Sequence, residues 1–300
     1  MTTQLRLILP LPATFRPGDA LSFHRRDRQE IAERVTDDAL HKGIMWQHAP
    51  ACLTVIFGPG QAEVRLSVDG RLPDIGPTAL ESMVRRMLGL TQDIDAFETR
   101  HRDHPQLGLL IAHHPGLRVP ATATPFEALT WAVAGQQISL GAAVALRRKL
   151  IEATNIRHSS GLLCYPGARH IAGLSEATLR QAGFSATKTR TLLTLSAQVM
   201  EDRLPLDTWA STLPIDEMRA QLLAIKGIGP WTVNYTLLRG FGWLDGSLHG
   251  DAAVQRGVQT LLHAPDRISA QAVQDWLAQF SPWRALAAAH IWAMRTDVAY

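Results

Sequence analysis

The stretch Leu222-Leu223-Ala224-Ile225-Lys226-Gly227-Ile228-Gly229-Pro230-Trp231-Thr232-Val233 reads as a helix, a glycine-pinched hairpin and a second helix. Just upstream, Ile215, Met218 and Leu222 fall on one helical face. Gly227 and Gly229 allow positive φ and let another backbone come close. Pro230 suits the first helical position, where no N–H is needed, and the second helix runs from Trp231 to Arg239. The N–H groups of the hairpin and of that helix's first turn then point outward together, which makes an anion site. Twenty residues beyond Trp231 stands Asp251.

Alone, Gly-Ile-Gly between helices is a tight turn. Here it belongs to a longer constellation: Ile225-x-Gly227-Ile228-Gly229-x-Trp231-Thr232, Asn234-Tyr235, Gly250-Asp251, Ser281-Pro282-Trp283-Arg284 and His290-Ile291-Trp292. Through these residues the chain resembles the helix-hairpin-helix/Gly-Pro-Asp superfamily of DNA glycosylases, in the branch of bacterial DNA-3-methyladenine glycosylase II. The likeness runs from about Met87 to Trp292 and more weakly through the N-terminal part. It implies a monomer that binds double-stranded DNA carrying a damaged base, with a backbone phosphate held by the hairpin.

Composition sets the bounds. Three hundred residues, 46% of them apolar, suffice for one large or two ordinary domains with a sizeable core. The net charge is +3 and the isoelectric point about 9.1. Basic residues concentrate between Gly141 and Met200, where Arg147, Arg148, Lys149, Arg157, Arg169, Arg180, Lys188 and Arg190 face only Glu152 and Glu176. That balance suits a polyanion as well as an ordinary solvated surface. Cys52 and Cys164 cannot supply the four thiolates of an iron–sulfur cluster, which argues against the endonuclease III branch. A disulfide framework is not expected either. The run Leu5-Arg6-Leu7-Ile8-Leu9-Pro10 is too short and too charged for a secretory core. No segment approaches the roughly 20 apolar residues of a membrane helix. The expectation is a bacterial cytoplasmic, nucleoid-associated protein with no membrane partner.

In chain order, residues 1–92 read as an α+β unit. Leu5 to Leu11 is a strand and Arg28 to Val35 a helix. Ala51 to Phe57 and Ala62 to Val68 form a β-hairpin around Gly58-Pro59-Gly60-Gln61, and Thr78 to Leu88 is an amphipathic helix. The resemblance implies here a small antiparallel sheet with helices, similar to half of a TATA-binding protein. His101, His104, His113 and His114 lie on a stretch rich in Pro and Gly; their spacing matches no zinc pattern, and they read as surface histidines on a linker. From 93 to 300 the pattern is helical, two subdomains around a cleft. Thr124 caps a helix, with Pro125 first and Glu127 reaching back, that ends near Gly135. Gln136-Gln137-Ile138-Ser139 is a break, and Ser139, Ser175 and Ser185 cap the helices that follow. Trp131 and Trp276 are assigned to the core.

The chemistry follows from Asp251. Gly250-Asp251-Ala252-Ala253 before an apolar helix makes it an N-cap, and the resemblance makes it the catalytic carboxylate. Both roles agree, because a helix N-terminus favours negative charge. A sugar leaving its base passes through an oxocarbenium-like state that a carboxylate stabilises. Asp245, in a Gly-rich turn, is the nearest rival and reads as solvated. Lyase members of the superfamily carry a Schiff-base lysine where this chain has Trp231, so the resemblance implies a monofunctional enzyme that uses water. Trp231, Tyr235 and Trp292 match the substrate-cleft aromatics, suited to cationic N-alkylated purines. Gln137 stands at the position of the wedge that fills the gap left by a flipped nucleotide. Lys226, Gly227, Gly229, Thr232 and Arg256 complete the DNA-facing set. The carbonyls of Leu223, Ile225 and Ile228 match a structural Na+ or K+ site; no other cofactor is implied. Ala293, where the resembled enzyme has an aromatic, points to a more open pocket. Two alternatives stand: a glycosylase for deaminated, etheno or oxidised bases, and a non-catalytic module that keeps the hairpin as a phosphate clamp.

Overall fold

The computed structural model describes residues 2–70 and 76–294. The first unit holds β1 (Thr2–Pro10), α1 (Pro17–His24), β2 (Glu33–Val35), β3 (Ala39–Trp46), β4 (Ala49–Gly58), β5 (Gln61–Asp69) and α2 (Pro77–Met87). The strands make one antiparallel five-stranded sheet in the order β1-β5-β4-β3-β2. Alternation in β4 and β5 sets the register: Leu53 pairs with Leu66 and Val55 with Val64, and all four are buried. The turn between them passes through Gly60 at φ +68°, which Gly adopts without strain. Leu80, Val84 and Met87 of α2 join the same buried cluster.

One expectation fails in this unit. Arg28 to Val35 is not a helix, because the carbonyls of Ile31 and Ala32 accept the N–H groups of Leu163 and Gly43 at 2.8 Å, and Glu33–Val35 is β2. The helix lies earlier, at α1, opened by Pro17. β3 lacks clean alternation because both its faces are largely covered.

The rest of the described chain is helical: α3 (Ile94–His101), α4 (Leu107–His113), α5 (Pro125–Gly135), α6 (Leu140–Thr154), α7 (Ala168–Ala172), α8 (Glu176–Gln181), α9 (Ala186–Met200), α10 (Leu206–Thr212), α11 (Ile215–Leu223), α12 (Pro230–Phe241), α13 (Ala252–Leu261), α14 (Ala270–Ala278) and α15 (Arg284–Ala293). Ser139, Ser175 and Ser185 each accept the N–H three residues on, as their sequence context requires. α5 and α12 form the central pair. Each feeds two cores: Ala132, Tyr235 and Leu238 belong to one, and Leu129, Val133, Leu237 and Phe241 to the other. A Cβ at Gly240 would sit 3.0 Å from Ala128 Cβ, so glycine lets the pair approach. The stretch read as a histidine linker holds the end of α3 and all of α4. His101 is buried among Phe97, Phe280 and Trp283, and His104 Nδ1 accepts the N–H of Leu107. Trp276 is buried, whereas Trp131 is only partly so and lies 5.0 Å beneath the Arg147 guanidinium.

A buried charge cluster joins the sheet to the helices. Lys42 of β3 pairs with Glu33 and, at 2.7 Å, with Glu127 of α5; Arg147 of α6 reaches Glu33 at 2.9 Å and Glu127 at 2.8 Å. Glu127 does not reach back to Thr124 as a capping box would. Thr124 caps the helix, but Oε2 of Glu127 accepts from Ala123 N–H and Oε1 takes both cations. Burial alone would raise both carboxyls; the Arg147 and Lys42 charges outweigh it and hold both below their ordinary value of 4.5. Carboxyls held low stabilise the fold above that value, so stability is expected to fall as pH drops below about 4.5. Lys42→Met, which strands two buried carboxylates on one arginine, is expected to cost about 3–5 kcal/mol in urea unfolding at neutral pH.

Candidate active site

The hairpin is built by a sequence of short backbone bonds. Ile225 N–H returns to Leu222 O and Ile228 N–H to Ile225 O, at 3.1 and 3.0 Å. Gly227 sits at φ +95°, and a Cβ there would lie 2.3 Å from Thr191 Oγ1, whose hydroxyl donates to Lys226 O. Both conformation and space therefore demand glycine. Gly229 differs from the expectation of positive φ: it is the N-cap of α12 at φ −110°, where extended backbone is required, and nothing lies within 4 Å of a Cβ. The N–H groups of Gly227, Gly229 and Trp231 make no hydrogen bond to another described residue.

Asp251 caps α13. Its Oδ1 accepts Ala253 N–H at 2.9 Å, Val254 N–H at 3.0 Å and Trp292 Nε1–H at 3.3 Å, and its Oδ2 accepts Trp231 Nε1–H at 3.1 Å. Four donors aimed at two oxygens suit a negative charge. Trp231 stacks on Tyr235 with centroids 5.1 Å apart, and Tyr235 meets Trp292 at 6.5 Å.

A cleft of about 880 Å³ brings Asp251, Trp231, Gly227, Gly229 and Gln137 to one place. Of the three aromatics named from sequence, only Trp231 lines it; Tyr235 and Trp292 are buried behind. Lys226 and Arg256 are exposed. Thr232 lines the cleft but is buried, and its hydroxyl accepts Gln136 Nε2–H at 2.9 Å. The Ile225 carbonyl already accepts one N–H, while a carbonyl's second lone pair stays available to a cation. Asp245 is not solvated; Arg284 binds both its oxygens, at 2.8 and 2.9 Å, and Ser281 adds a third bond. Ala293 is partly buried against the core cluster behind Trp292.

Sequence reasoning missed the residues behind the aromatics. The Arg239 guanidinium lies 5.5 Å from the Trp292 ring and 4.6 Å from Phe23, and Arg26 lies 4.4 Å from Phe23. Burial pushes Arg239 down to about 10, against the pull of the Tyr235 hydroxyl. Gln136 and Lys188 were missed as well. Gln136 Nε2 bonds Gly227 O at 2.8 Å, and Lys188 Nζ bonds the carbonyls of Ala134 and Gln136 at 2.8 and 2.9 Å.

The architecture is a hairpin between two helices with a capped carboxylate across the cleft. Residues 6–124 match the family described as AlkA N-terminal domain. DNA-3-methyladenine glycosylase 2 of Escherichia coli (strain K12) is 30% identical over 190 residues, 62% of this chain and 63% of that protein, so under two thirds of its length is spanned. A DNA-3-methyladenine glycosylase of Bacillus subtilis (strain 168) is 21% identical over 291 residues, covering 95% and 96% of the two chains. The structure of a 3-methyladenine DNA-glycosylase from Archaeoglobus fulgidus superposes with a TM-score of 0.81 at 18% identity, over 97% of this chain and 99% of that one. The chain is thus similar to DNA-3-methyladenine glycosylases in sequence, and it shares the fold of one of them over nearly its whole length.

The two glycines should separate in a stability assay. Gly229→Ser, a good N-cap in open space, is expected to change unfolding free energy by less than about 0.5 kcal/mol. Gly227→Ala should cost about 1–3 kcal/mol from its left-handed φ alone, with the Thr191 contact adding to it. Chemical denaturation of both variants checks this.

Proposed function

We propose that the protein excises alkylated purines of the 3-methyladenine type from double-stranded DNA by hydrolysing the N-glycosidic bond, without lyase activity. The observation that carries the reading is Asp251, held by four N–H donors at the rim of the cleft that also receives the free hairpin N–H groups. The hairpin binds a phosphate and sets the register of the duplex. The damaged nucleotide leaves the stack and its base enters the cleft beside Trp231. As the C1′–N bond breaks, its electrons pass to the base, and a cationic base departs neutral. Asp251 stabilises the positive charge growing on C1′. A water oxygen then bonds C1′ and its proton passes to solvent. Trp231 offers no amine, so no Schiff base forms there. The carbonyls of Leu223, Ile225 and Ile228 are those that would hold a structural monovalent ion. The enzyme acts as a monomer in this reading.

One observation favours a second substrate range. The buried guanidinium of Arg239 lies against Trp292, and a cation already on that ring weakens its attraction for a cationic base. Neutral lesions such as hypoxanthine or etheno bases suit a cleft with that cation buried behind its wall. Base release from duplexes carrying each lesion, before and after alkali, decides between the two ranges; release of none would leave a DNA-binding module.

Asp251→Asn is expected to abolish excision while duplex affinity stays within about threefold, since the carboxylate acts in the transition state. Near-normal turnover would assign the chemistry elsewhere. Borohydride should trap no covalent complex, and strands should break only after alkali; a trapped adduct would end the monofunctional reading. Lys226→Ala should make the log–log salt dependence of binding shallower by about one unit. Gly229→Val, if folded by circular dichroism, should weaken binding to damaged and plain duplex alike.

A further inference from the structure

Guanidiniums and aromatic rings alternate from the buried charge cluster to the rings behind Trp231. Arg147 lies 5.0 Å from the Trp131 ring; Arg26 lies 5.9 Å from that ring and 4.4 Å from Phe23. Arg239 lies 4.6 Å from Phe23 and 5.5 Å from Trp292, whose indole donates to Asp251. The three cations differ in their partners. Arg147 and Lys42 together match the carboxylates of Glu33 and Glu127. Among the described residues neither Arg26 nor Arg239 forms an ion pair with a carboxylate. Arg239 is buried and donates from Nη1 to the Pro120 carbonyl at 2.7 Å. Burial pushes Arg239 down to about 10 and lowers Arg26 as well, yet both stay charged at neutral pH. The space between Arg26, Phe23, Trp131 and Arg147 is about 20 Å³, room for about one water. Solvent therefore screens these charges little, and two surplus buried cations are costly to the fold.

We propose that Arg26 and Arg239 are positioning residues that place positive charge behind the base, drawing electron density onto it as it departs while Asp251 stabilises the sugar. This rests on the glycosylase reading and deepens it. When the C1′–N bond breaks, its electron pair passes to the base. A cationic alkylpurine then leaves neutral, and a neutral lesion leaves as an anion that takes a proton from solvent. C1′ gains the positive charge and bonds a water oxygen, whose proton passes to solvent. In both cases the base becomes more negative, so cations on its side and a carboxylate on the sugar side favour the same displacement. The bound states differ. A cationic base is repelled before reaction by the charges that help it leave, whereas a neutral base is not. The arginines therefore raise kcat for both classes and raise kcat/KM only for neutral lesions. Phe23 and Arg26 belong to α1 and the turn after it, so the sheet-bearing unit takes part in selecting the base.

Two measurements on the full chain test this. In an Asp251→Asn background, affinity is compared for duplexes carrying 2′-fluorinated 7-methylguanine, which is cationic, and 7-deaza-7-methylguanine, its neutral isostere. Arg26→Met and Arg239→Met are each expected to shift the affinity ratio toward the cationic base by about tenfold, with plain-duplex affinity within about twofold. Arg239→Lys, which keeps the charge, should leave the ratio near that of the wild type. With Asp251 intact, Arg26→Met should lower kcat about tenfold on both 7-methylguanine and hypoxanthine, with KM falling in parallel only for the cationic lesion. A purely structural role would weaken both lesions alike and leave the ratio unmoved. An unchanged ratio in Arg26→Met, folded by circular dichroism, overturns the proposal, as does a KM that falls equally for hypoxanthine. If Arg239→Met does not fold, Arg26→Met decides alone. Failure of the wild type to release any base would end the glycosylase reading alone, because the affinity ratio needs no chemistry.

Discussion

Two carboxylates and two cations share one dry site between the sheet and the helices, and the geometry of the cleft descends from that arrangement. Glu33, Lys42, Glu127 and Arg147 are all buried, and each has charged partners on another element. Such a cluster adds little net stability over a well-packed apolar one, because desolvation offsets most of the attraction. What it imposes is orientation: any other docking of β2 and β3 on α5 and α6 strands a buried charge. Since α5 and α6 flank the turn at residues 135–138, fixing their seat on the sheet fixes where that turn stands. Arg147 extends the control by lying over the rings of Trp131 and Tyr165.

From this seat the cleft acquires a property that net charge conceals. Ser139, Ser185, Gly229 and Asp251 are the N-caps of α6, α9, α12 and α13, and all four border the same cleft. Each helix start carries roughly half a positive charge. Four of them directed at one volume make it favourable for a polyanion although the whole chain carries only +3. One of the four is occupied from within by the Asp251 carboxylate. That contrast between a resident anion and open N–H groups separates the place where positive charge would develop from the places where phosphates would sit.

Rigidity is concentrated where the cleft meets the hairpin. Gly227 packs on Thr191, Gln136 bonds Gly227 and Thr232, and Lys188 holds the turn from α9. These contacts tie α5, α9 and α12 into one frame, with the α5–α12 packing beneath it. In the proposed reaction, which sets a sugar carbon against one carboxylate, such a frame is an advantage, since small displacements weaken transition-state contacts steeply.

Much of this was legible along the chain, and the limit has a physical cause. The sheet hairpin, the Ser and Thr caps, the helix–hairpin–helix and the capping role of Asp251 all come from neighbours in sequence, where φ, side-chain reach and hydrophobic period act directly. The sequence by itself therefore determined the α+β class, the helical second half and the cap at Asp251. Residues whose role depends on distant partners were misread. Glu33 was placed in a helix because its partners Lys42, Glu127 and Arg147 lie on other elements; Asp245 was read as solvated because Arg284 is far along the chain; Gly229 was given a left-handed φ that its cap position does not need. Only the tertiary structure decided that Tyr235 and Trp292 stand behind Trp231, that Arg239 lies against Trp292 and Arg26 against Phe23, and that Lys188 holds the turn before Ile138. Burial, ion pairing and ring contacts are set by which surfaces meet, and no local pattern encodes that meeting.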